Sequence, residues 1–206
     1  MALFSRFLEK EWLDELPAAD PRAVRSRADL RRVNAIMGNA RVIARNLGEA
    51  RRIADLGGGD GSLMRAVERK LGRSLEVTNV DRVAGLEVFD FLAAPGKPLD
   101  AIVANLFLHH LTDQDLRRLF ALAAVRAPLI VACEPRRSRF ALAGSHLMGL
   151  IGCNDVTRHD AVISVRAGFT GQELSAAWPA AAGWTLTERP ARPFSHLFVA
   201  RRDGIV

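Results

Sequence analysis

The sequence predicts an α/β fold in which a doubly wound, mostly parallel sheet carries helices on both faces. Three stretches predict it. Residues 52–63 read as a buried strand, a glycine-rich turn and a helix start. Residues 99–111 form a nearly continuous apolar strand that runs into polar groups, and 184–201 reads as a closing pair of strands. Near-continuous apolar runs are what strands buried on both faces show, and such strands belong to parallel sheets.

Length and composition bound the reading. A chain of 206 residues can bury one sizeable core, so one unit is expected. Apolar content of 49% and charged content of 25% are ordinary for a globular protein and argue against disorder. The formal charge of +6 comes almost wholly from arginine, the only lysines being Lys10, Lys70 and Lys97. Arg22, Arg65, Arg117 and Arg192 are scattered along the chain, which favours solvated surface charge over a nucleic-acid face. Cys133 and Cys153 stand in no metal-ligand spacing, so no metal is expected. The longest apolar run, Ala141 to Cys153, is too short to cross a bilayer and no secretory signal opens the chain, so the cytoplasm is the expected compartment.

Phe4, Phe7, Leu8, Trp12 and Leu16 recur at spacings near three and four, which predicts an amphipathic helix over Met1–Leu16, ended by Pro17 and Asp20-Pro21. Glu9, Glu11, Asp14 and Glu15 make its polar face too acidic for a membrane anchor, so a lid or packing helix is preferred. Arg22 to Leu47 reads as one or two helices with a break at Gly38-Asn39. Residues 1–48 are thus expected to form a helical lid over a domain spanning 49–206.

In the first strand, Ile53, Ala54 and Leu56 are apolar, and the turn that follows reads Asp55-x-Gly57-x-Gly59-x-Gly61. Glycine lets backbone approach a ligand closely, and N–H groups at the next helix start face that ligand. The dinucleotide fingerprint G-x-G-x-x-G would place Ser62 at its third glycine. An acid followed by alternating glycines instead resembles motif I of the class I S-adenosylmethionine-dependent methyltransferases. That resemblance implies a Rossmann-like sheet of seven strands whose last strand is antiparallel, with S-adenosyl-L-methionine as cofactor. It implies that Gly57, Gly59 and Gly61 pass under the cofactor while Asp55 lies near its methionine amino group.

Ser62 is expected to cap the helix over Ser62–Leu71, and Ser74–Val80 to form the second strand, ending in Asp81-Arg82. An acid at the carboxyl end of that strand can accept both ribose hydroxyls, the role expected of Asp81. Leu86–Phe91 reads as a short third strand, where the resemblance implies adenine contacts for Asp90 and Phe91. The fourth strand ends at Asn105, followed by Leu108-His109-His110-Leu111 and by Thr112 opening a helix with Asp115 three positions on. This segment resembles motif IV of small-molecule methyltransferases, including those of quinone and polyketide biosynthesis; pockets of open parallel sheets lie outside the carboxyl ends of the strands, where Asn105, His109 and His110 would sit, with Asn105 expected among the cofactor-binding residues. The base-stacking D/N-P-P-Y/F signature of adenine and cytosine N-methyltransferases is missing, since Asn105-Leu106-Phe107-Leu108 stands there.

Leu129-Ile130-Val131-Ala132 makes the fifth strand, with Glu134-Pro135 at its carboxyl end. Residues 136–168 form an insertion expected to cover substrate, apolar over Phe140–Ile151 and polar over Asn154–Asp160. His159 beside Asp160 is a second candidate base. Thr157-Arg158-His159-Asp160-Ala161 with Ser164-Val165-Arg166-Ala167-Gly168-Phe169 is similar to methyltransferases encoded with type III polyketide synthases, which act on phenolic lipids. Thr170-Gly171-Gln172-Glu173 caps another helix before the closing hairpin.

The resulting expectation is O-methylation of a small, largely apolar phenolic or quinol-like acceptor, with His109 or His159 accepting the phenol proton. Carbon methylation of a quinone precursor, RNA methylation and non-catalytic cofactor binding are the alternatives. A small-molecule acceptor is the expected partner, nucleic acid and an integral membrane segment are disfavoured, and a homodimer is allowed for.

Overall fold

Six strands, rather than the seven that the resemblance implies, make one sheet among the described residues of the computed structural model, which are 5–17, 19–81, 84–179 and 182–204. Phe4 of the expected N-terminal helix and Arg82 after the second strand lie outside the described residues. The strands are β1 (Arg52–Leu56), β2 (Glu76–Val80), β3 (Ala101–Asn105), β4 (Leu129–Pro135), β5 (Trp184–Pro190) and β6 (Ser195–Arg202), in the order β2-β1-β3-β4-β6-β5. β1 to β4 pair in parallel, and β6 runs antiparallel between β4 and β5. β3 and β4, the most apolar runs, are buried at every residue and occupy the centre.

Nine helices surround the sheet among the described residues: α1 (Trp12–Glu15), α2 (Pro21–Met37), α3 (Asn39–Ala44), α4 (Ser62–Leu71), α5 (Val88–Ala93), α6 (Asp113–Arg126), α7 (Arg139–His146), α8 (Asp155–Ala167) and α9 (Glu173–Ala177). The sheet separates two apolar cores. One contains Leu56, Ile102, Phe120, Phe169, Trp178 and Phe198, and the other Ile43, Ile53, Val67, Val103, Val131 and Leu197. Alternate residues of the same strands thus enter opposite cores, as the two-residue period of a pleated strand requires.

Three local expectations are corrected. Leu86–Phe91 is not a strand: Val88 and Leu92, four apart, are the buried pair of α5, so the apolar spacing there is helical. Of the predicted helix over Met1–Leu16, the described residues keep only the single turn of α1, and residues 5–11 form a non-helical strap in which Arg6 donates to Ala167 O at 2.8 Å and the Phe7 N–H to Arg166 O at 3.3 Å. Ser62 is the first helical residue of α4 rather than its cap; Gly61, at φ +69°, holds the cap position and Asp60 Oδ1 accepts the Ser62 N–H at 3.0 Å. The break at Gly38 is where the sequence places it, with Gly38 left-handed at φ +70° between α2 and α3.

Candidate functional site

The carboxyl ends of β1 to β4 share one edge of the sheet, and Asp55, the glycine turn, Asp81, Asn105 and His109 lie at or just after those ends, whereas Asp90 and Phe91 are on α5 and His159 is on α8. β1 ends in Leu56 and turns through Gly57, Gly59 and Gly61, all at positive φ (69°, 53° and 69°). A side chain at Gly57 would put its Cβ 2.5 Å from the Phe107 ring, and one at Gly58 would lie 2.4 Å from both Asp55 Oδ2 and Asn79 Oδ1. Contacts that short are not tolerated, so this path requires bare backbone.

Beneath the turn sits Asp55, in register with Asn79 of β2 and Val103 of β3. Its side chain is 1% exposed, and neither carboxylate oxygen has a hydrogen-bond partner; Asn79 Oδ1 is likewise buried and unpaired. Burial, with the Asp81 charge adding to it, pushes the Asp55 carboxyl up to about 7. Asn79, which the sequence did not single out, donates from Nδ2 to Gly59 O at 2.7 Å. Asp81 directly follows β2 and accepts the Gly59 N–H at 3.1 Å, which brings the expected ribose acid against the glycine turn.

Asp90 and Phe91 are carried on α5 rather than on a strand. Asp90 is exposed, while Phe91 packs against the larger core with the Arg126 guanidinium over its ring at 5.5 Å. Asn105 ends β3 and enters a buried amide network. Its Oδ1 accepts from Asn39 Nδ2 at 2.8 Å, its Nδ2 donates to Asn34 Oδ1 at 3.0 Å, and Ser195 Oγ donates to Asn39 Oδ1 at 2.7 Å. The network ties α2 and α3 to the sheet edge, as does the ion pair of Arg31 with Asp60 at 3.1 Å. Asn39 and Ser195 come from segments whose local pattern marks only a helix break and a strand start.

After Asn105 the backbone is strained: Leu106 is at φ +52°, the one positive-φ residue other than glycine among those described. The chain then forms a 3-10 turn, Leu108–His110, held from below by Glu134 at the end of β4. Glu134 accepts the N–H groups of Phe107 and Leu108 at 3.1 and 3.0 Å and pairs with His109 Nδ1 at 2.9 Å. His109 Nε2 faces Glu11 Oε1 at 3.4 Å. Burial works against an imidazolium there, but the two carboxylates outweigh it and hold His109 at about 9. It is therefore charged at neutral pH and has no lone pair with which to take a proton. His110, its ring 4.1 Å from that of His109, is depressed by burial and by its charged neighbour. No metal is expected from the cysteine pattern, yet donor atoms of Glu11, His109 and His110 lie within 4.8 Å of one another.

His159 lies on α8, with Nδ1 bonded to Asp160 Oδ1 at 3.0 Å and Trp12 stacked on its ring at 3.7 Å. The neighbouring histidine and aspartate are thus hydrogen-bonded, which adjacency alone does not establish. Asp160 also accepts the N–H groups of Trp12 and Leu13 at 2.9 and 3.0 Å. Between α2, the 3-10 turn at Met148–Ile151 and the β5–β6 connection lies a small apolar cluster of Val33, Met37 and Cys153, with Leu106, Met148 and Phe194 packed on it.

This architecture is shared with solved structures. The methyltransferase BpumL, solved in complex with SAH, superposes with a TM-score of 0.67 at 11% identity, over 89% of this chain and 91% of that one. An O-methyltransferase family protein from Burkholderia thailandensis gives 0.56 at 18% identity, over 90% and 61%. Human N-acetylserotonin methyltransferase, solved in complex with SAM, gives 0.58 at 16%, over 94% and 63%. The fold is that of S-adenosylmethionine-dependent methyltransferases. At such identities the methyltransferase fold is what the likeness shows, and the chain spans about three fifths of the length of the Burkholderia and human proteins. No protein-family model matches the sequence, and no curated relative does.

The residues present fit S-adenosylmethionine. Three buried acceptor oxygens without a donor, on Asp55 and Asn79, converge at a turn whose shape excludes side chains. Acceptors of this kind are costly to bury unless a donor reaches them, and the amino group of a methionine moiety is a donor of matching charge.

Proposed function

We propose that this protein is an S-adenosylmethionine-dependent methyltransferase acting on a small, largely apolar acceptor, by O-methylation of a phenol or quinol. The observation that carries the reading is the set of unpaired oxygens of Asp55 and Asn79 under the Gly57–Gly61 turn. The apolar cluster of Val33, Met37, Leu106, Met148 and Phe194 beside that edge supports an acceptor with little polarity. Several fold neighbours are described as small-molecule methyltransferases, among them the mitomycin 7-O-methyltransferase MmcR and a flavin N,N-dimethyltransferase, RosA from Streptomyces davawensis.

S-adenosylmethionine, when bound, supplies a methyl group on a positively charged sulfur. Asp55 and Asn79 hold its amino group, the backbone of Gly57, Gly59 and Gly61 lies against it, and Asp81 accepts from the ribose. Asp90 and Phe91 are the candidates for the adenine, and Asn105 fixes the covering helices over the same edge. Because the displacement is in line, the main work of the chain is to align the two reactants and exclude water, which can supply roughly 7–11 kcal/mol. His159, oriented through Nδ1 by Asp160, is the group proposed to take the phenol proton. His109, already protonated, holds the N-terminal strap instead of serving as base. Incubation with methyl-labelled S-adenosylmethionine and a panel of alkyl phenols and quinols tests the reading. Label in an ether product is expected, and His159→Ala lowers the rate at least tenfold while leaving cofactor affinity unchanged. Label on ring carbon would replace the O-methyl assignment, and no transfer to any acceptor would reject the enzyme reading.

A further inference from the structure

Between Pro135 and Asn154 the chain has no acidic residue. It has four large apolar side chains on the outside instead: Phe140, Leu147, Leu150 and Ile151 are 63%, 57%, 82% and 44% exposed. They lie on α7, its C-cap and the following 3-10 turn; Ala141 and Ser145 of α7 are buried, and Met148 is packed into the apolar cluster below. The short element is therefore apolar on both sides. Single exposed apolar residues are ordinary, but four within twelve positions make a patch.

The rim of this patch is cationic. Arg139 is exposed at the start of α7, Arg158 of α8 lies over Gly149, where an added Cβ would come 3.2 Å from its Nε, and Arg25 of α2, which is exposed and also pairs with Asp29 at 3.5 Å, donates to Gly152 O at 3.1 Å. Bulky apolar groups in the middle, arginines around them and no acid in the segment complement an anionic bilayer. The apolar groups enter the boundary of the acyl region, while the guanidinium groups remain among the headgroup phosphates. No helix among the described residues is long and apolar enough to cross a membrane, so the contact is with the surface.

We propose that residues 139–151 seat the protein on an anionic lipid bilayer, with Arg25, Arg139 and Arg158 binding the headgroups. The surface stands on its own observations and rests on the methyltransferase reading only for its use, which is to place the apolar cluster where a lipid-soluble acceptor enters from the bilayer. Vesicle flotation of the full chain tests it, with no methyl donor or acceptor present, so that failure here and failure of the proposed reaction are separately visible. Binding to vesicles of phosphatidylcholine with phosphatidylglycerol is expected, at least tenfold tighter than to phosphatidylcholine alone and weakened by salt. Leu147→Asp with Leu150→Asp lowers it at least tenfold with the unfolding temperature unchanged, and Arg139→Glu with Arg158→Glu removes the preference for the anionic lipid. Should the double aspartate variant unfold, Leu150→Ser, at the most exposed of the four positions, is expected to weaken binding severalfold in a folded protein. No flotation with anionic vesicles, or flotation that these changes leave intact, overturns the proposal. So does a dimer in sedimentation velocity that the aspartates dissolve while vesicles never bind.

Discussion

Asp55 carries a proton that its neighbours do not help it lose. Its folded value of about 7 against an ordinary 3.8 means that the folded state binds the proton more tightly than the unfolded chain. By linkage, the contribution of Asp55 to stability without ligand is fully present below about pH 4 and is lost as pH rises through 4 to 7, by about 4 kcal/mol at most. Asp81 is the charge that faces it, and Asn79 presents only an oxygen. Asp55→Asn is therefore expected to raise the unfolding temperature of the free protein at pH 8 by several degrees, with no gain at pH 4. The same ionisation favours a bound ammonium, so affinity for S-adenosylhomocysteine is expected to rise between pH 5 and 8 in the wild type and to be flat in Asp55→Asn. Scanning calorimetry and titration calorimetry read the two effects. Gly58→Ala places a methyl group 2.4 Å from Asp55 Oδ2 and is expected to abolish binding while leaving a folded protein of lower stability. The glycines and Asp55 were legible because their spacing is itself the constraint. Asn79 was not, because nothing in Glu76–Val80 distinguishes a strand asparagine that turns toward the glycine loop from one that faces water.

Among the elements, the strap shows where local pattern misleads. Phe7, Leu8 and Trp12 have helical spacing, yet they remain 57%, 38% and 42% exposed, so no apolar helix face is buried there. A lone short helix is marginal in water, and contacts more than a hundred residues away decide the outcome. Arg6 donates to the carbonyls of Ala167, His109 and Leu111 at 2.8, 3.1 and 2.7 Å and pairs with Asp113 at 2.9 Å. Arg6→Ala is expected to free residues 5–15, with faster amide exchange and new protease cuts there, and to shift the main unfolding transition little. The second fastening is Glu11 on His109. A histidine raised to about 9 stabilises the strap fully below pH 6.5, and this contribution is lost as pH rises through 9. Glu134, His110, Asp14 and Asp160 face the same pair. Glu11→Gln is accordingly expected to loosen the strap at pH 8, where the wild type remains protected, with hydrogen exchange at Trp12 and Leu13 as the readout. The Leu86–Phe91 correction has a similar origin, since Val88 and Leu92 satisfy a helical period that a six-residue window reads as a strand.

At the scale of the molecule, the order of motifs made the methyltransferase fold legible: Asp55 to Gly61 after one strand, Asp81 after the next, Asn105 to His110 at the central edge, and the closing hairpin. The amide network was hidden, because Asn34, Asn39, Asn105 and Ser195 meet only once α2, α3, β3 and β6 are assembled. Glu134 was visible at a strand end, but its grip on the Phe107–His109 turn depends on the pairing of β3 with β4. The central claim is that the Asp55–Asn79 acceptors under the glycine turn hold the amino group of S-adenosylmethionine. Titration calorimetry with S-adenosylhomocysteine at pH 8, on the wild type and on Asp55→Ala, tests it most directly. Saturable binding at one site per chain, weakened at least tenfold by the substitution, is the predicted result, and a wild type that fails to bind at millimolar ligand, or a variant that binds equally well, would contradict it.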